Sequence, residues 1–102
     1  MAHYTNKNAN GTSFHDVTIK ATPAQLKKLF PVSYYESNDG KDKTNYDFTL
    51  ETEGGKVFTI YDWKYYRPIK DDELITWHIG GHDPMTCLEG AEEVEEALGS
   101  LI

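Results

Sequence analysis

Residues 45–64 read NYDFTLETEGGKVFTIYDWK, two alternating apolar runs separated by Glu53-Gly54-Gly55. A period of two sends successive side chains to opposite faces of a strand, and glycines between two such runs mark a hairpin turn. Tyr46, Phe48 and Leu50 on the first run, with Phe58 and Ile60 on the second, are expected to share the core face. Tyr61 and Trp63 then fall on the opposite face.

Toward the N-terminus, SYYESNDGKDKT reads as a polar loop with a turn at Asn38-Asp39-Gly40. Before it, TPAQLKKLF is a short helix: Thr22 caps, Pro23 suits the first helical position, and Leu26, Leu29 and Phe30 share a face. Pro31 ends it. SFHDVTIKA alternates as a strand, with His15, Val17 and Ile19 on one side and Phe14, Asp16 and Thr18 on the other. Residues 1–12, polar and rich in Asn and Thr, are expected to fray.

Toward the C-terminus, YYRPIKDD interrupts any ladder because Pro68 lacks a donor. ELITWHIG is the last strand and GGHDPMT a turn. MTCLEGAEEVEEALGSLI is an amphipathic helix with Leu88, Ala91, Val94, Glu95 and Leu98 near one side. The order β-α-β-β-β-α predicts an α+β fold, a small antiparallel sheet with helices packed on one face. A chain of 102 residues makes one domain, 1–102.

The aromatic share of 13% is too high for a disordered chain. Cys87 is alone, so no internal disulfide forms, and a reducing cytoplasm fits. No apolar run approaches the ~20 residues that span a bilayer, and the N-terminus lacks the pattern of a secretory signal. The formal net charge is −7. That disfavours duplex nucleic acid as a partner, since phosphate neutralisation supplies most of such affinity. The charge is uneven, however: without Glu89, Glu92, Glu93, Glu95 and Glu96, twelve acidic side chains face ten basic ones. A small anion such as a nucleotide stays compatible with the remaining surface.

The candidate site is concentrated between Tyr61 and Pro84, which holds both tryptophans, the only arginine and two of the four histidines. Exposed rings beside a guanidinium suit a purine, with Tyr61, Trp63, Tyr65 and Tyr66 as stacking surfaces and Arg67 as phosphate anchor. Such rings can equally bury a subunit interface or cover the second face of the sheet. In WHIGGHDPMT, which opens with Trp77, Gly80 and Gly81 permit close backbone approach, and the helix start beyond Asp83 offers amides, with Thr86 adding a hydroxyl. The plainer alternative is a turn with Asp83 as cap, which would occupy those amides.

His78 and His82 stand four apart, but the glycines between them argue against the helical face a zinc pair needs. No metal or other cofactor is expected. Ser13 with His15, or Cys87 with His82, lacks an activating motif, and no catalytic residues are assigned. The glutamate-rich helix is most simply a solvated face; as a phosphate mimic it would serve an acidic interaction protein.

The motifs FTIYDWKYYRP and ITWHIGG, followed by an alanine- and glutamate-rich terminal helix, resemble those of phage sponge proteins that sequester the cyclic dinucleotides of bacterial anti-phage signalling, the anti-CBASS sponges. The resemblance covers the layout of residues 12–102. It implies a small, cytoplasmic, non-catalytic homo-oligomer in an infected bacterial cell. Such a protein binds a cyclic dinucleotide through aromatic and cationic side chains and releases it unaltered. The ligand set expected on chemical grounds is Tyr61, Trp63, Tyr65, Tyr66, Arg67, Trp77, His78, Gly80, Gly81, His82 and Thr86. The alternative is an acidic protein that inhibits a host DNA-acting or defence protein by contact; a small enzyme acting on a nucleotide stands third.

Overall fold

The computed structural model describes residues 1–31, 34–36 and 43–101. Along them run β1 (His3–Tyr4), β2 (Ser13–Ala21), α1 (Pro23–Leu29), β3 (Tyr34–Glu36), β4 (Tyr46–Glu51), β5 (Val57–Tyr61), β6 (Ile75–Gly81) and α2 (Pro84–Gly99). The strands form one six-stranded antiparallel sheet in the order β1-β4-β5-β6-β2, with β3 also paired to β4. The fold is α+β, as the pattern of elements predicts.

The β4–β5 hairpin has Glu51 opposite Val57 and Asp47 opposite Tyr61. Its turn closes through Thr52, whose amide donates to the Lys56 carbonyl at 2.8 Å and whose carbonyl accepts from Gly55 at 2.9 Å. Gly55 adopts φ +87°, where a side chain would be strained. The expected core residues Tyr46, Phe48, Leu50, Phe58 and Ile60 are all buried. Trp77, Ile79 and Ile19 from the neighbouring strands join them, as do Leu26 of α1 and Ala91 and Val94 of α2.

Thr22 caps α1 through a reciprocal box with Gln25, and Pro23 opens it. Asp83 caps α2, accepting from the Thr86 amide at 2.7 Å. Small residues carry α2 onto the sheet. A Cβ on Gly81 would stand 2.9 Å from Cys87 Sγ, and one on Gly90 would stand 2.7 Å from the Phe58 ring. The buried stripe is Cys87, Gly90, Ala91, Val94 and Ala97, whereas Leu88, expected on it, is 54% exposed. Close approach selects the small side of the helix over the large one.

Four further expectations are corrected. The N-terminus is tied down: β1 pairs with β4, Ala2 is buried, and the terminal amine meets Glu53 at 2.9 Å. Tyr34–Glu36 is a strand on β4 rather than loop, anchored by the Tyr34 ring against Phe48 at 5.1 Å while Tyr35 faces solvent. The expected turn at Asn38-Asp39-Gly40 lies outside the described residues. In β2, simple alternation fails between Phe14 and Thr18, where three residues face Ile79 alone, and Asp16 takes φ +63°. A bulge of this kind also blunts an edge strand. Gly80 and Gly81 belong to β6, and the chain turns after them at His82 and Asp83.

A candidate ligand groove on the open sheet face

Strand register sets out the face opposite the core. One row runs Tyr35, Asp47, Tyr61, His78 and Thr18 across five strands. The next runs Thr49, Thr59, Gly80 and Phe14. Gly80 leaves that second row without a side chain, because a Cβ there would stand 2.5 Å from Thr59 Oγ1. The rings beside the gap close on one another. Phe14 stacks on His78 with centroids 3.9 Å apart, and Tyr61 and Trp63 meet edge to face at 6.0 Å. His78 lies 5.5 Å from Tyr61 and 6.2 Å from Trp63.

Above this gap lies a groove of roughly 390 Å³, with Tyr61 and Trp63 on one wall and Asn10 and Thr12 on the other. Ser13, Thr59 and Gly80 form its floor, and Thr44 and Asp47 its end. Past Asp47 and Thr44 it continues into a notch of roughly 530 Å³ beside Tyr4, Tyr34 and Tyr35. Both volumes fall within the range of small-molecule sites. A cleft of roughly 850 Å³ between β2 and α2 is larger, but its lining has neither an aromatic ring nor a basic group.

Trp63 is held by its backbone surroundings. The Lys64 amide donates to the Lys43 carbonyl at 2.7 Å, and Lys64 occupies the left-handed region at φ +59°. That turn brings Lys43 Nζ and Lys64 Nζ to 5.8 and 5.6 Å from the indole centroid. Two cations thus stand on the rim of an aromatic wall. The preceding residue, Asp62, is buried and fixes the departure of the chain from β5. It accepts from the Asn45 and Tyr46 amides at 2.7 and 2.8 Å and from Asn45 Nδ2 at 3.0 Å.

Electrostatics single out the same place. Asp47 is open to solvent along the groove but crowded on its other sides, and burial pushes its carboxyl up to about 6, helped by the charge of Asp62. Burial raises Tyr61, with the Asp47 charge adding to the rise. Burial also lowers His78, which favours the neutral ring. Asp47 and Tyr61 line one concavity, and titratable groups shifted together in this way are a mark of functional sites.

The structure divides the expected ligand set. Tyr61, Trp63 and Gly80 line the groove, and His78 packs beside it against the Tyr61 and Trp63 rings. Trp77 does not: it is 0% exposed and donates from Nε1 to the Ala21 carbonyl at 2.9 Å, a core role set by its strand parity. Gly81 faces α2, and Thr86 is buried at the start of that helix under the Asp83 cap. Arg67 is engaged by Glu73 through both terminal nitrogens and lies over the Tyr65 ring at 5.4 Å. Tyr65 in turn accepts from the Thr76 amide through its hydroxyl at 3.2 Å, sealing β6 where β5 has left it. Tyr66 is exposed on the same excursion, and the ring of His82 packs beside Gly11.

Asp47, Thr59, Phe14, Lys43 and Lys64 were not anticipated. The hairpin register alone would have found Asp47, since counting back from the turn sets it opposite Tyr61. Alternation along β2 sets Phe14 on the side away from Ile19, and the ladder then places it beside Gly80.

The catalytic pairings are weak in geometry as well. Cys87 is buried and its thiol raised by burial, the reverse of an activated thiolate. Ser13 Oγ and His15 Nε2 are 3.2 Å apart but exposed. Among the described residues no group of three or more metal-ligating side chains converges, and no helix is long and apolar enough to cross a membrane. No family model, curated protein or solved structure matches the chain.

Proposed function

We propose that the protein is a non-catalytic binder that sequesters a nucleotide signal, a cyclic dinucleotide, on the open face of its sheet. The observation that carries this reading is the Gly80 groove, walled by Trp63 and Tyr61 and rimmed by Lys43 and Lys64. A base slides against the indole, where stacking contributes roughly 1–3 kcal/mol. Asp47 accepts from a ring N–H, and the threonine and serine hydroxyls of the floor take the remaining polar edge. The rim lysines meet phosphate. The adjoining notch beside Tyr35 gives a second ring a place to lie, which a mononucleotide would leave empty.

Release of the ligand unaltered separates this function from catalysis. The protein is incubated with a panel of cyclic and linear nucleotides, heat-denatured, and the supernatant resolved by chromatography. Intact cyclic dinucleotide, depleted before heating and recovered after it, is the expected result. Linear or hydrolysed product would make the protein an enzyme, and no depletion of any nucleotide would end the reading.

A further inference from the structure

The cleft between β2 and α2 has an arrangement the nucleotide groove does not explain. Its floor is apolar: Met85 and Leu88 are 59% and 54% exposed, and the half-buried Val17 lies across from them. Its rim is acidic, with Glu89, Glu92 and Glu95 on the helix and Asp16 on the facing bulge. Lys56 approaches Glu89 at 3.7 Å, while Asp16, Glu92 and Glu95 have no ion-pair partner among the described residues. Met85, Leu88, Glu92 and Glu95 follow helical spacing, so the stripe extends about 15 Å along α2. The bulge keeps Asp16 at the opposite lip through its left-handed backbone.

We infer that this cleft is a docking surface for a cationic amphipathic helix of another protein. Charge complementarity and length select that occupant. About three helical turns fit the stripe, apolar anchors of the incoming helix cover Met85 and Leu88, and its lysines or arginines face both acidic lips. A second copy paired cleft to cleft suits it poorly, because Asp16, Glu89, Glu92 and Glu95 would meet the same acidic side chains, and like-charged surfaces repel. This surface is independent of the nucleotide reading and would persist if that reading failed.

The test titrates the isotopically labelled full chain with a peptide of about 14 leucines and lysines patterned for one helix face. Controls are the same residues shuffled out of period and a glutamate-for-lysine version. Amide shifts confined to residues 16–18 and 85–95 are expected, with affinity falling at least about tenfold when ionic strength rises from about 0.05 to about 0.5 M. Leu88→Ser and the double change Glu92→Gln, Glu95→Gln should each weaken binding at least about tenfold without lowering the melting temperature, since these side chains are exposed. Equal binding of the shuffled peptide, shifts elsewhere, unaffected variants or no binding would overturn the proposal. So would a dimer, seen by sedimentation, that Leu88→Ser dissolves: the cleft would then belong to a second copy.

Discussion

Asp47 sits between stability and binding. Its pKa is raised to about 6 in the folded chain, so the folded state holds the proton more tightly than the unfolded state does. The sign follows: between the unfolded value near 4 and about 6, stability falls as pH rises, and above that range the full cost of the charge is present. Asp47→Asn should therefore raise the melting temperature at pH 7.5 by about 2–4 °C, a modest shift because solvent screens an accessible carboxylate. At pH 4 the gain should vanish. The same change removes the charged acceptor and should weaken nucleotide binding by roughly ten- to a hundredfold, the scale of a hydrogen bond to an ionised group. A variant that melts higher and binds as before would show that Asp47 takes no part in the site. Arg67 makes a contrasting case. Its guanidinium is already held by Glu73, so Arg67→Ala should change nucleotide affinity by less than about twofold, about the size of a lost surface contact. A tenfold loss in a titration would return Arg67 to the site.

At the scale of elements, the hairpin was the most legible part of the chain. Its alternation and glycine turn specify both the register and the inward face, and each core position read from it is buried. The helix caps were legible for the same reason, since Thr22 and Asp83 act on amides within three residues. Long-range terms decided what local pattern could not. Nothing near Phe14 announces a bulge, and nothing near His3 announces that it pairs with Glu51. The amphipathic reading of α2 found Ala91 and Val94 but placed Leu88 inward, because it weighed hydrophobicity and not the closeness of the sheet. Phe58 supplies that closeness, and Gly90→Ala tests it. A methyl there meets three ring atoms within 3.0 Å. The crowding should outweigh the ~1 kcal/mol that alanine adds to a helix, giving a net loss of about 1 kcal/mol and a lower denaturant midpoint. A higher midpoint would mean that the helix can lift without cost.

For the whole molecule, one sheet serves two purposes: both helices cover one face, and the other face carries the groove. Of the candidate site, Tyr61, Trp63, His78 and Gly80 were legible because strand parity sends them outward together. The same parity points Trp77 inward, so its ring belongs to the core and not to the site its indole chemistry suggests. The outward alternation of β5 carries as far as Trp63 and no further, so the roles of Tyr65 and Arg67 are visible only in the fold. Exposed rings at Tyr4, Tyr35, Trp63 and Tyr66 leave apolar surface on and around that open face. We expect it to be partly covered by assembly of copies, which sedimentation at micromolar concentration should register as a species larger than 11.6 kDa. A monomer across that range would count against assembly and leave the groove itself unaffected.

The two tryptophans provide the most direct test of binding on the open face. Trp63 walls the groove and is 39% exposed, whereas the Trp77 indole is buried and donates to Ala21. Each contributes one indole N–H resonance to the spectrum of the isotopically labelled protein. Addition of a cyclic dinucleotide should move the Trp63 indole signal in a saturable way, while the Trp77 signal holds its position. A Trp63 resonance that stays fixed through a saturating titration, while binding is registered elsewhere or not at all, would contradict the account.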